Sequence, residues 1–177
     1  MDSVGGFVGG ISRNTDMIMT VSNCTNNGNV SAVEGCVGGL FGWVDTSTNM
    51  NITISSTINN GNVTGNDYVG GLVGHIYSYS QSELMTLNII NSANKGIVSA
   101  KQGRACGFVC IDSMYHFNMH IMVKNSINKG SVNATTNGYG ITNNITVARN
   151  VVSMGDVTGP SGSYTFWDVS TDVDLFY

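Results

Sequence analysis

The sequence has little charge, a single proline and no long apolar run. Charged side chains make up 10% of its 177 residues, with a net charge of −4 at pH 7, whereas globular domains average about a quarter. A nucleic-acid surface needs a clustered basic face, and a membrane helix needs roughly 18 apolar residues in succession. We therefore expect no nucleic-acid partner and no membrane span in this segment.

The sequence also shows no signal peptide, because Met1-Asp2-Ser3 leads directly into a glycine-rich stretch at residues 4–9. The same glycine-rich pattern recurs later in the chain, so the sequence begins inside a repeat. We expect the chain to be part of a longer protein.

Only four cysteines are present, too few for the disulfide framework of a small secreted domain. Cys24 and Cys36 could pair across the turn at Gly28 in an oxidising compartment. A second group suggests a zinc site: Cys106, Cys110, His116 and His120. Residues four apart in one strand are roughly 13 Å apart, too far to share one ion. We expect core thiols and incidental histidines here, and no metal or other cofactor.

Glycine and asparagine, in contrast, are abundant and follow a repeat. One glycine recurs at spacings of 33, 35, 34 and 25 residues, as Gly28, Gly61, Gly96, Gly130 and Gly155. A period of roughly 20–50 residues is typical of stacked units that each contact only their neighbours. The sequence therefore predicts a solenoid.

Residues at fixed distances from this glycine form columns of one chemical type. Two residues after it stand Val30, Val63, Val98, Val132 and Val157. Seven residues before it stand Val21, Ile54, Ile89, Val123 and Ala148. Apolar residues at a spacing of two indicate strands with one buried face. The pattern predicts an all-β fold, a parallel β-helix of about five right-handed coils, and the alternative is an antiparallel sheet with the arms as hairpins.

Two further columns consist mainly of asparagine. One column is Asn26, Asn59, Asn94, Asn128 and then Ser153; the other is Asn23, Ser56, Asn91, Asn125 and Asn150. Equivalent residues of stacked coils lie about 4.8 Å apart, so asparagine side chains can hydrogen-bond from coil to coil. Asn and Gly also tolerate the left-handed backbone of a sharp corner. We predict asparagine ladders.

Each copy also contains a glycine-rich strand followed by an arm of variable length. The strand covers residues 37–42 and recurs at 69–74 and, with changes, at 105–110. Its glycines resemble a phosphate-binding loop, but no Gly-Lys-Ser/Thr follows them. We predict arm insertions on one edge of a solenoid spanning residues 1–159. The aromatic-rich residues 160–177 are predicted to form a cap or a junction to a following segment.

The copies resemble the GLUG-type repeat, which joins a Gly-Gly-Leu-Val-Gly strand to an Asn-x-Gly-Asn-Val-x-Gly corner. The match is closest over residues 26–42 and 59–74 and extends over about 4–159. The resemblance implies a secreted or cell-surface location and a scaffold or adhesin-like role. It carries over no catalytic residue.

Parallel β-helices also include polysaccharide lyases and hydrolases, so a carbohydrate-processing enzyme is the alternative function. Such catalysis uses two or three acids within roughly 5–10 Å, which in a solenoid means matching positions of adjacent coils. The arm acids fall out of column, at Asp16, Asp45, Glu83 and Asp112. We therefore favour a non-catalytic structural or adhesive module.

The arms are the predicted contact region, since insertions on one face of a repeat protein are often the binding face. They carry rings of the kind enriched at contact surfaces: Trp43, Tyr77, Tyr79, Tyr115, His116 and Phe117. We predict that these residues contact a protein or glycan ligand. The alternative is that the arms are strand extensions packed on one another, with the rings as their own core.

Overall fold

The computed structural model of the chain describes residues 2–12, 16–46, 49–78, 84–113, 119–160, 163–166 and 173–175. Every regular secondary-structure element within these ranges is a β-strand. These ranges therefore contain no helix that is long and apolar enough to cross a membrane.

The described chain winds through successive coils. The first coil consists of β1 (Ser3–Gly5), β2 (Val8–Ile11), β3 (Ile18–Ser22), β4 (Thr25–Asn26) and β5 (Val30–Ser31). The second consists of β6 (Cys36–Gly38), β7 (Phe41–Thr46), β8 (Met50–Ser55), β9 (Ile58–Asn59) and β10 (Val63–Gly65). The third consists of β11 (Tyr68–Gly70), β12 (Val73–Ser78), β13 (Met85–Ile90), β14 (Ala93–Asn94) and β15 (Val98–Ala100). The fourth consists of β16 (Arg104–Cys106), β17 (Val109–Ser113), β18 (Met119–Asn128) and β19 (Val132–Ala134). The fifth consists of β20 (Gly138–Thr142), β21 (Val147–Ser153) and β22 (Val157–Thr158), and β23 (Ser163–Phe166) and β24 (Val173–Leu175) follow it.

Every strand pair in the described ranges is parallel. A 5-stranded sheet has the order β22-β19-β15-β10-β5, so the chain makes four full turns between β5 and β22. A 10-stranded sheet folds back at β20, and one limb holds the first strand of each coil while the other holds the second. A 9-stranded sheet, which contains β18, forms the remaining wall. The parallel β-solenoid is confirmed and the antiparallel alternative is wrong, whereas the right-handed winding stays a prediction.

The register of the sheets reproduces the columns of the repeat. In the 5-stranded sheet Val63 pairs with both Val30 and Val98, and Val132 pairs with Val98 and Val157. The first four of these valines are 6% exposed or less. A fully buried valine stabilises the fold by roughly 1.5–3 kcal/mol, so this spine is a main contributor to stability.

The arms are strand extensions. The strands β7 and β8 run through most of the predicted arm of the second coil. The inward side chains of these strands and of their equivalents form the larger of the two main apolar cores of the described residues, which includes Val44, Ile52, Ile76, Leu87 and Ile121. The smaller core lies between the 5-stranded sheet and the first limb of the 10-stranded sheet, and the valine spine belongs to it.

A buried asparagine ladder lies where the chain crosses between the two cores. The Nδ2 atom of each asparagine donates to the Oδ1 atom of the next, from Asn26 to Asn59, from Asn59 to Asn94 and from Asn94 to Asn128, each at 2.8 Å. Each Nδ2 also donates to the carbonyl of the glycine two residues later, as Asn94 does to Gly96 at 2.8 Å. The predicted ladder is confirmed, and we call this column with its glycines the buried corner.

The predicted glycine-rich strand is divided by a bend, into β6 and β7 in the second coil and into β11 and β12 in the third, and the glycines at the bend make room for this ladder. A Cβ atom built on Gly71 would lie 2.5 Å from the carboxamide carbon of Asn94, and one on Gly39 would lie 2.7 Å from that of Asn59. Carbon atoms pack no closer than about 3.5 Å. The two motifs of the repeat therefore contact each other across the coil, and each requires the other.

The second asparagine column forms an exposed corner. Its members have left-handed backbones, with φ of 55° at Asn23, 50° at Ser56, 50° at Asn91, 48° at Asn125 and 52° at Asn150. Their side chains are all exposed, and one side-chain hydrogen bond, from Asn150 Nδ2 to Asn125 Oδ1 at 2.9 Å, links neighbours in this column.

The described parts of the predicted cap continue the parallel stack. The backbone of Ser163 pairs with Gly138, and that of Val173 pairs with Ala148. Both pairings are irregular, with a register shift in each. The aromatic residues Trp167, Phe176 and Tyr177 lie outside the described residues.

Candidate binding surface

The outer faces of β7 and β12 carry aromatic side chains. Val44 and Ile76 belong to the larger core, so Trp43 and Tyr77, one residue away along each strand, project to the opposite face. The register sets His75 beside Trp43. Trp43 and Tyr77 are partly exposed, as a contact surface requires.

The sharp bend between β11 and β12 brings a further ring to this face. The two strands approach so closely that a Cβ atom on Gly70 would overlap the backbone of Val73. The ring of Tyr68 consequently stacks on His75, with 4.1 Å between the ring centroids and 12° between the ring planes. The ring of Tyr77 lies 5.9 Å from that of His75 and is tilted by 56°. Such ring pairs are favourable, and we call Trp43, Tyr68, His75 and Tyr77 the aromatic patch.

A cation borders the aromatic patch on the next coil. Arg104 pairs in register with Tyr68, and its guanidinium carbon lies 5.8 Å from the centroid of the Tyr68 ring. A guanidinium within about 6 Å of a ring centroid is attracted to the ring face. Arg104 is partly exposed, so it joins the patch to the turns beside it.

The turns that precede β11, β16 and β20 line a polar pocket of about 340 Å³. It lies where the 5-stranded sheet meets the first limb of the 10-stranded sheet, and three successive coils line it with Asp67, Tyr68, Gln102, Gly103, Arg104, Thr136 and Asn137. The Oδ1 atom of Asn137 is buried and has no hydrogen-bond partner. We call this the corner pocket.

A disulfide between Cys106 and Cys110 lies beneath the patch. The two residues lie in the core as expected, but as a bonded pair rather than as thiols, because the chain bends at Gly107 and Phe108 between β16 and β17 and the two Cα atoms come to 5.4 Å. Both cysteines are fully buried and pack with Tyr139. In the two preceding coils the same two positions hold a pair of glycines (Gly38 and Gly42, Gly70 and Gly74).

The other two cysteines, Cys24 and Cys36, for which the sequence leaves a bond possible, are not bonded to each other. Cys24 is half-buried, and its Sγ donates to the carbonyl of Ser22 at 3.2 Å. Burial raises the pKa of the Cys36 thiol to about 12, and the negative charge of Asp67 adds to the rise. A protonated, buried thiol is a poor nucleophile, so Cys36 is chemically inert at neutral pH.

The predicted contact residues divide into two groups. Trp43 and Tyr77 lie together on the outer face, outside the apolar core of the arms. The others lie outside the described residues: Tyr79, Tyr115, His116 and Phe117. Among the described residues no three His, Cys, Asp or Glu side chains gather in a group that could hold a metal ion, and His120 is exposed on β18.

Sequence reasoning missed Tyr68, Arg104 and Asn137, which share one column just before the glycine-rich strand. The available signal was that this column is polar in three successive copies, beside polar turns. It was obscured because the column starts with Ser3 and Cys36, which show no aromatic or charged pattern.

Comparison of the chain with models of protein families, with curated proteins and with solved structures finds no match.

Proposed function

We propose that the chain is a non-catalytic structural and adhesive module of a secreted or cell-surface protein, built from GLUG-type repeats. The observation that carries this proposal is the buried corner, where side-chain hydrogen bonds join Asn26, Asn59, Asn94 and Asn128 in an unbroken series. Hydrogen bonds in a buried ladder polarise and strengthen one another. Such a ladder suits a stiff rod that holds a surface at a fixed distance.

The disulfide supports the extracellular part of the proposal. Disulfides persist in oxidising compartments and are rare in the cytosol. Cys106 and Cys110 occupy positions that hold glycines in the two preceding coils. In those coils the neighbouring backbone is too close for a larger side chain. Two reduced thiols need more space than a bonded pair, so this coil fits best when oxidised.

The aromatic patch supports the adhesive part. Tyr and Trp supply a large contact area with an apolar body and a polar edge. Here the ring of Tyr68 is held by stacking on His75, so little side-chain freedom is lost on binding. The patch also sits on paired strands, which position it more rigidly than a loop does.

The test compares adhesion of the protein with that of a Trp43→Ala/Tyr77→Ala variant on glycan arrays and on cells. Ile97→Ala serves as the matched control. Ile97 is an exposed apolar side chain, 45% exposed, that follows Gly96 and is not part of the aromatic patch. We expect the double variant to lose adhesion and the control to keep it, with unchanged unfolding midpoints. Absence of adhesion by the unsubstituted protein would contradict the adhesive role. Release of reducing ends from acidic or neutral polysaccharides would instead establish the carbohydrate-processing alternative.

A further inference from the structure

We propose that the corner pocket binds one neutral sugar unit through its hydroxyl groups. This proposal rests on the proposed adhesive function and names its ligand class, but it places the ligand beside the aromatic patch rather than on the arms. The pocket volume of about 340 Å³ lies at the small end of the roughly 300–1,000 Å³ range of ligand pockets. It therefore suits a small polar group better than a stretch of polymer.

The polar groups of the pocket match hydroxyls. Asn137 is among the residues that line the pocket, and a carboxamide can both donate to and accept from hydroxyls. Asp67 supplies carboxylate oxygens that accept from hydroxyls, and Arg104 supplies N–H groups that donate to them.

The charges of the pocket select a neutral ligand. Asp67 and Arg104 contribute one charge of each sign, and both are partly buried. A phosphate or uronate that approached Arg104 would also meet the carboxylate of Asp67, and a cation would meet the guanidinium. Opposed charges of this kind disfavour a charged ligand, whereas a hydroxyl donates to one group and accepts from the other.

The pocket is also held in shape before any ligand arrives. Backbone N–H groups tie its turns together from coil to coil: Gln102 donates to Asn66 at 2.8 Å, Arg104 to Asp67 at 2.7 Å and Ala105 to Asn137 at 3.2 Å. A Cβ atom on Gly103 would overlap the carbonyl oxygen of Asp67, so the turns sit directly on one another. A site fixed in this way loses little entropy on binding.

The test is titration of the soluble protein, by saturation-transfer NMR and calorimetry, with glucose, galactose, N-acetylglucosamine, glucuronate and inorganic phosphate. We expect at least one neutral sugar to bind. Asp67→Ala and Asn137→Ala should weaken that binding at least about tenfold, since a site built on hydrogen bonds responds strongly to a missing partner. Glu34→Ala is the matched control, because Glu34 is an exposed acid in the corresponding turn one coil earlier and does not line the pocket.

A second measurement keeps the proposal testable if a variant fails to fold. In the unsubstituted protein, the bound sugar should shift the amide resonances of residues 102–104 and 136–138 and leave those of residues 33–35 in place. Binding of glucuronate or phosphate in preference to every neutral sugar would overturn the ligand class. Failure of all three neutral sugars to bind, or binding that both alanine variants retain, would overturn the pocket, while adhesion through Trp43 and Tyr77 would still uphold the proposed function. Sugar binding at the pocket without any adhesion would uphold the pocket and contradict the adhesive role.

Discussion

The exposed corner and the buried corner of each coil both use asparagine, for opposite physical reasons. At the exposed corner Asn91 has a left-handed backbone with φ of 50° and its side chain faces solvent. Three residues later Asn94 is fully buried, and its side chain accepts from Asn59 and donates to Asn128 and to Gly96. Asn91 is required for its left-handed backbone conformation, and Asn94 is required for the hydrogen bonds of its carboxamide.

The exceptions in each column follow from that difference. The exposed corner accepts Ser56 in the second coil, because a small polar residue can adopt the left-handed backbone. The buried corner accepts Ser153 in the fifth coil, where it receives the Nδ2 atom of Asn128 at 3.4 Å. Inside the ladder a residue must both donate and accept, whereas at this position an acceptor suffices.

The largest expected effect comes from the glycine of the buried corner. A Cβ atom on Gly96 would overlap the carbonyl of Gly61 in the neighbouring coil, whereas one on Gly28 would find Asn26 Oδ1 as its nearest atom, at 3.7 Å. We expect Gly96→Ala to lower the free energy of unfolding by at least about 4 kcal/mol, since backbone cannot move aside. Gly28→Ala should change it by less than about 1 kcal/mol. Equal effects of the two substitutions in urea denaturation would contradict this account of the glycine column.

The next effect tests the carboxamide itself. Asn94→Ala removes the donor to Gly96 and to Asn128 and the acceptor of Asn59, all in a dry interior. Each orphaned buried group costs about 1–3 kcal/mol, and the losses are not additive, so we expect about 3 kcal/mol in total. Asn60→Ala is the control, because its exposed amide donates to Asn27 Oδ1 at the same distance of 2.8 Å. That control should fall within about 0.5 kcal/mol of the parent protein, and a larger loss there would mean that exposed ladders matter as much as buried ones.

A smaller effect tests the backbone of the exposed corner. Asn91→Ala should cost about 1 kcal/mol, because alanine pays the full penalty of the left-handed region. Asn91→Gly should be neutral or stabilising, since glycine adopts this backbone without strain. Thermal unfolding of the two variants gives the comparison. If alanine proved as stable as glycine, the left-handed backbone would not explain this column.

Much of the fold could be predicted because the repeat encodes it twice, in the spacing and in the chemistry of each column. The valine spine and both asparagine columns lie where the spacing of the recurring glycine puts them. The reason for that glycine is different from the one we expected. Among the described residues the glycine with a positive φ is Gly35, and the recurring column is required instead by close approach of neighbouring coils.

The candidate site was harder to predict, because it depends on backbone bends that the repeat pattern does not indicate. The stacking of Tyr68 on His75 and the bond between Cys106 and Cys110 both span the bend between the first two strands of their coils. An extended strand over 105–110 would keep those cysteines apart, and the sequence alone favours that extension. The corner pocket needs turns from three coils, and two of these differ in length by one residue, which no single copy reveals.

A column of hydroxyl side chains, which directly follows the left-handed residue of the exposed corner, was also not predicted from the sequence. The hydroxyl of Ser92 donates to the carbonyl of Ile90 at 2.9 Å and accepts from the backbone N–H of Thr57 at 3.3 Å. Thr57 and Ser126 occupy the same position in their own coils and donate to the carbonyl two residues earlier. In the first coil the position is held by Cys24, whose sulfur makes the equivalent contact to Ser22 at 3.2 Å.

This column gives the smallest predicted effect and the closest test of the exposed corner. A thiol is a weaker hydrogen-bond donor than a hydroxyl, so Cys24→Ser should raise the free energy of unfolding by about 0.5 kcal/mol, within the range of one net hydrogen bond. The matched control is Cys36→Ser, which replaces a fully buried thiol by a hydroxyl that costs more to bury, and it should lower stability by about 1–3 kcal/mol. Urea denaturation under non-reducing conditions, which leave the Cys106–Cys110 bond intact, measures both. Opposite signs for the two serines would show that the exposed corner selects a hydrogen-bonding side chain after its left-handed residue; destabilisation by both would mean that Cys24 is held there by packing instead.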